Sequence, residues 1–67
     1  MIWEILKTSG VKPTAVLCTS AVTMVCLSAC AEVMQALLVL RREAPWMEYI
    51  DTVFVGGEWQ VRFGVAS

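Results

Sequence analysis

Apolar positions crowd into the middle of the chain. From Pro13 to Ala31 there is no charged side chain, and after Glu32 the apolar run resumes through Val33, Met34, Ala36, Leu37, Leu38, Val39 and Leu40 before Arg41-Arg42-Glu43 closes it. An uncharged run of about 19 residues is close to the length that spans the hydrocarbon core of a bilayer. Pro13 suits the first turn of a helix, where its missing N–H costs nothing. Ala44-Pro45 ends the pattern, because a proline pushes its predecessor out of the α region. The expected fold class is therefore a mainly α membrane protein, with a single transmembrane helix over about 14–42. At 1.5 Å per residue that helix is about 40 Å long. It exceeds the ~30 Å core and must tilt or project.

The tail carries a different pattern. Met47 to Val55 and Glu58 to Val65 are rich in β-branched and aromatic residues and flank Gly56-Gly57, a two-residue hairpin signal. This predicts a β-hairpin over about 47–65. With the glycines as the loop, Phe54 meets Trp59, Thr52 meets Val61 and Ile50 meets Phe63 on one face, while Asp51 lies opposite Arg62 on the other. One register then supplies both an apolar face and a matched ion pair. A lone hairpin is marginal in water, so the face of Ile50, Phe54, Trp59 and Phe63 is expected to dock on a neighbour.

At the other end, Ile2, Trp3, Ile5 and Leu6 surround Glu4, an apolar turn suited to a membrane surface. Ser9-Gly10 interrupts it. The expected organisation is an interfacial segment over 1–12, the membrane helix over 13–43 and an extramembrane hairpin over 44–67. Trp3 and Trp46 serve as interfacial anchors.

Composition reinforces this picture. The 67 residues are 58% hydrophobic and 16% charged, with a mean hydropathy of +0.70. A chain this short has too little interior to hide so much apolar side chain, so a lipid bilayer or another subunit must cover part of it. The net charge of −1, with five Lys and Arg spread along the chain, supplies no basic stripe for phosphates, and no nucleic acid is expected as a partner. The chain has no His, which removes the commonest general base and metal ligand. Lys7 and Lys12 balance Arg41 and Arg42, so the orientation of the span stays open.

Candidate chemistry is sparse. On a helical wheel Thr14, Cys18, Ala21, Val25, Ser28, Glu32 and Gln35 form a stripe of small or polar residues. Leu17, Met24, Leu27, Ala31, Met34 and Leu38 lie opposite. The small side suits packing against a partner helix, with contacts expected at Ala21, Val25, Ser28, Glu32 and Gln35. An intramembrane Glu32 reads either as an interhelical contact or as a proton-pathway carboxylate. Cys26 and Cys30, spaced i,i+4, are two thiols without a companion His, and cysteine as a small apolar residue explains them. No metal site, cofactor or small-molecule substrate is expected, and no catalytic residue stands out.

Two stretches resemble known patterns. Leu27-Ser28-Ala29-Cys30 resembles the lipobox of bacterial lipoproteins, which implies cleavage before Cys30 and lipid on its sulfur. The opening Met1-Ile2-Trp3-Glu4-Ile5-Leu6 is similar to that of MWFE, a small single-span accessory subunit of mitochondrial complex I. That likeness covers about six residues, and here Lys7 to Pro13 separates the opening from the hydrophobic run, whereas that family enters the membrane almost at once. The function expected from the residues is structural and not enzymatic: a single-pass accessory subunit that stabilises a larger membrane complex through helix packing and a docked hairpin. The alternatives are a soluble obligate homo-oligomer built on the long helix with its hairpins paired into a sheet, a bacterial lipoprotein, and a proton or ion pathway component using Glu32.

Overall fold

The computed structural model describes residues 2–65; Met1 of the expected 1–12 segment and the last two residues of the expected 44–67 tail lie outside them. The order of elements is α1 (Ile2–Thr8), β1 (Ala15–Cys18), β2 (Val22–Leu27), α2 (Cys30–Glu43), β3 (Met47–Val55) and β4 (Glu58–Val65). The strands form one antiparallel sheet in the order β1-β2-β4-β3. Two hairpins thus join along β2 and β4, and α2 crosses over between them.

The expected helix over 14–42 does not form. Its first half is the β1–β2 hairpin, and only Cys30–Glu43 is helical. Among the described residues no helix is long and apolar enough to cross a membrane, which overturns the single-pass membrane placement. The physical reason lies in side-chain branching. Val16, Val22, Thr23 and Val25 are β-branched and stiff at χ1, which favours the pleated strand. An uncharged run of this kind does not separate strand from helix by periodicity.

The short first helix is ended by a Schellman motif. Val11 N–H donates to Leu6 C=O at 2.9 Å and Gly10 N–H donates to Lys7 C=O at 3.0 Å. Gly10 sits at φ 86°, the left-handed conformation that this motif requires. Leu6 and Val11, the apolar pair that accompanies the motif, are both wholly buried. Helix α2 carries Glu32 in its first turn and Arg41 and Arg42 in its last, the charge order that suits the helix dipole. Its end is marked by Ala44 N–H donating to Leu40 C=O at 2.8 Å, just before Pro45.

Both helices lie on one face of the sheet. Helix α2 packs over β2 and β4, with α1 beside it. Val25, Leu27, Val61 and Phe63 from the sheet meet Val33, Ala36, Val39 and Leu40 from α2 and Ile2 and Leu6 from α1. Val25, Leu27, Val61 and Leu6 are wholly buried. Burial at about 25 cal/mol per Å² makes this cluster the main favourable contribution to folding.

In the β3–β4 hairpin Val55 pairs with Glu58, Phe54 with Trp59, Thr52 with Val61 and Asp51 with Arg62. A bulge then shifts the register, so that Tyr49 rather than Ile50 faces Phe63. The expected pairing of Ile50 with Phe63 is thereby corrected. A bulge inserts one residue and turns the following alternation, and Ile50 moves to the face opposite the helices, beside Gly64.

Candidate docking surface

Strand β3 is nine residues long and forms one edge of the sheet. The opposite edge, β1, has four. Tyr49 and Phe54 lie exposed on the helix-bearing face, and Ile50 and Val55 lie exposed on the other, each at least half accessible. Helix α2 covers β2 and β4 and leaves β3 open on that side. Between them runs a groove of ≈ 290 Å³ lined by Leu37, Leu40, Arg41, Pro45, Met47, Tyr49 and Phe63. Met34 and Leu38 of α2 are also exposed, at helical spacing from Leu37 and Arg41.

The aromatic side chains of this strand are held by their β4 neighbours. Tyr49 meets Phe63 edge-on with ring centroids 6.1 Å apart, and Phe54 meets Trp59 at 4.8 Å. The Tyr49 hydroxyl lies 2.8 Å from the Thr52 hydroxyl. On the other face Arg62 clamps Asp51 bidentately, with Nε donating to Oδ1 at 2.6 Å and Nη2 donating to Oδ2. The hydrogen bond and charge of Arg62 hold the Asp51 carboxyl below its ordinary range, and those of Asp51 in turn raise the Arg62 guanidinium.

The residues expected to form a helix-packing face do not share a helix. Ala21 lies in the β1–β2 connection, Val25 is in the core from β2, Ser28 precedes α2, and Glu32 and Gln35 are on α2. Glu32 works locally. It accepts the Lys12 backbone N–H at 3.2 Å and the Ser28 hydroxyl at 3.4 Å, which ties the α1–β1 connection to the start of α2. Of the expected hairpin face, Phe54, Trp59 and Phe63 do lie together on the helix-bearing side, while the bulge turns Ile50 away. Trp3 and Trp46 are both exposed, on α1 and just before β3.

The three cysteines are free. Cys18 and Cys30 are exposed and Cys26 is buried. Cys26 and Cys30, expected i,i+4 on a helix, instead fall on a strand and at a helix start. Burial raises the Cys26 thiol above its ordinary range, and the charge of Glu58 and a hydrogen bond to it act in the same direction. Thr14 completes this corner by donating its hydroxyl to Glu58 Oε2 at 3.0 Å and to Cys26 C=O at 3.2 Å. A thiol held protonated is a poor nucleophile, so the corner reads as structural. Among the described residues no group of His, Cys, Asp and Glu is placed to hold a metal ion.

Cleavage before Cys30 would remove α1, β1 and β2, and with them Val25 and Leu27 of the core, so the fold lends the lipobox reading no support. Sequence reasoning missed the groove and Tyr49, because both depend on the bulge at Ile50 and on where α2 lies over the sheet. No family model, curated protein or solved structure matches the chain.

Proposed function

We propose that this protein is a non-catalytic assembly module, a small subunit that joins a larger structure by docking a partner along β3. The observation that carries the reading is the nine-residue edge strand with large apolar side chains exposed on both faces. Natural sheets protect such edges with charges, prolines, short strands, bulges or a covering element; β3 has the bulge at Ile50 and still exposes Tyr49, Ile50, Phe54 and Val55 along its length. Here the one carboxylate near the middle of the strand, Asp51, is bound to Arg62. The groove beside β3 gives a partner strand apolar sites for its side chains, while main-chain hydrogen bonds along the edge supply the alignment.

The deciding measurement is the native size of the protein in gentle extracts of its own cells, for the wild type and for the double variant Tyr49→Asp, Phe54→Asp. The wild type is expected in a particle well above 7.4 kDa. The variant, with circular dichroism unchanged, is expected to run as the monomer. A wild type that already runs as the free monomer overturns the reading.

A further inference from the structure

We infer that the partner on the β3 edge is a second copy of this chain, paired antiparallel about a two-fold axis through Thr52. The inference rests on the reading of β3 as a docking edge and names its occupant.

The hairpin turn determines which backbone groups are free. Gly56 and Gly57 both have positive φ, 61° and 80°, the two-residue type I′ geometry in which the flanking pair, Val55 and Glu58, is hydrogen-bonded. Alternation then turns the N–H and C=O of Val53 and Asp51 toward β4. Those of Thr52 and Phe54 point outward, to the open edge.

The bulge determines which registers keep like faces together. Tyr49, Thr52 and Phe54 lie on the helix-bearing face, and Glu48, Asp51, Val53 and Val55 lie on the other. Setting Thr52 opposite the partner's Thr52 places Asp51 opposite the partner's Val53. With Ile50 left out in each strand, Tyr49 then falls opposite the partner's Phe54 and Glu48 opposite the partner's Val55. Every pair shares a face, and the match runs from Glu48 to Val55. Without the bulge, a one-residue slip would set Tyr49 and the partner's Phe54 on opposite faces.

Side-chain chemistry selects the same register. The observed pairs Phe63–Tyr49 and Phe54–Trp59 become halves of a continuous aromatic row, Phe63, Tyr49, the partner's Phe54 and the partner's Trp59, formed twice. No carboxylate faces another. A two-fold through Asp51 opposes two carboxylates, and one through Val53 runs out at Val55 and sets Thr52 against the partner's Phe54. The helices permit the contact. With α2 over β2 and β4, the two copies of α2 stand about four strand spacings, roughly 19 Å, apart, well beyond the roughly 8–10 Å of packed helices.

The test is the mass of the purified chain by light scattering over a wide concentration series, for the wild type and for Thr52→Pro. Proline removes the outward N–H, together with the hydroxyl that meets Tyr49, and is tolerated on an edge strand at such a position. The wild type is expected to reach twice 7.4 kDa and Thr52→Pro to stay at the monomer mass with circular dichroism unchanged. If Thr52→Pro does not fold, Thr52→Cys in a Cys18→Ser, Cys30→Ser background takes its place. Directly opposed residues lie about 5.5 Å apart at Cα, within disulfide reach, so a reducible covalent dimer is expected there. A wild type monomeric throughout overturns the inference, as does a dimer that survives Thr52→Pro or fails to cross-link through Thr52→Cys. A purified monomer whose particle in cell extracts is lost in Tyr49→Asp, Phe54→Asp overturns self-pairing alone and leaves the docking reading standing with a foreign partner.

Discussion

The two hairpins of this sheet occupy equivalent places in the fold and are held in different ways. The β3–β4 hairpin carries its own determinants: two glycines at positive φ in the turn, a bidentate ion pair across the strands and two aromatic pairs. The β1–β2 hairpin has a turn through Thr19-Ser20-Ala21 with no glycine. It is closed at Thr19, whose backbone N–H donates to Val22 C=O at 2.8 Å and whose hydroxyl donates to the same carbonyl and accepts Val22 N–H, both at 3.0 Å. Its strands are held chiefly by partners elsewhere. Val22–Leu27 pairs with Trp59–Gly64, and Val25 and Leu27 lie beneath α2. The first hairpin is thus made by the tertiary structure, and the second helps to make it.

The strongest way to break this comparison is Leu27→Ala. Removing a wholly buried leucine costs about 2–5 kcal/mol, while a core of this size rarely supplies more than about 3–5 kcal/mol. Chemical denaturation should show the variant largely unfolded, whereas Phe54→Ala, at an exposed position of β3, should cost only its ring pair with Trp59, about 0.5–1.5 kcal/mol. Equal losses at the two sites would mean that β2 is not where the fold is held.

The turns separate the hairpins next. Replacing both Gly56 and Gly57 by Ala forces L side chains into the left-handed region, at about 1–2 kcal/mol each. Thr19→Ala loses one exposed turn closure, about 0.5–1.5 kcal/mol. Denaturation midpoints should fall in that order, and the reverse order would make the first turn the stronger determinant.

The smallest effect belongs to the Asp51–Arg62 pair, which is exposed and screened. The folded-state carboxyl titrates below the unfolded value of about 3.9, so between the two the unfolded chain binds more protons and stability rises with pH. The contribution is present above the unfolded value and is lost as pH falls through the folded one. Asp51→Asn should therefore lose slightly less melting temperature than wild type between neutral and acid pH. An equal loss in both would remove Asp51 from the acid response.

How much was legible follows from where each determinant sits. The hairpin turn, the pairing of Phe54 with Trp59 and the opposition of Asp51 to Arg62 depend on residues within a dozen positions of one another, and each can be read along the chain. The uncharged run from Pro13 to Ala31 carries no such local signal. Its second strand places Val25 and Leu27 against the helices, while Met24 and Cys26, on the other face, are also uncharged, so polar alternation is missing. The groove beside α2 was not legible at all, because its walls come from α2 and β3 and meet only in the folded chain.

By itself the sequence determined the two-residue turn at Gly56-Gly57, the strand partners next to it and the stop of α2 at Ala44-Pro45. Those features need only φ preferences, side-chain spacing and charge. Tertiary structure decided that Ala15–Cys18 and Val22–Leu27, which β-branching only inclines toward strand, are strands, that Ile50 bulges and Tyr49 takes its place beside Phe63, and that β3 is left at the edge. An apolar residue takes its conformation from the surface that buries it, and for Val25 and Leu27 that surface is supplied by β4 and α2, distant in sequence.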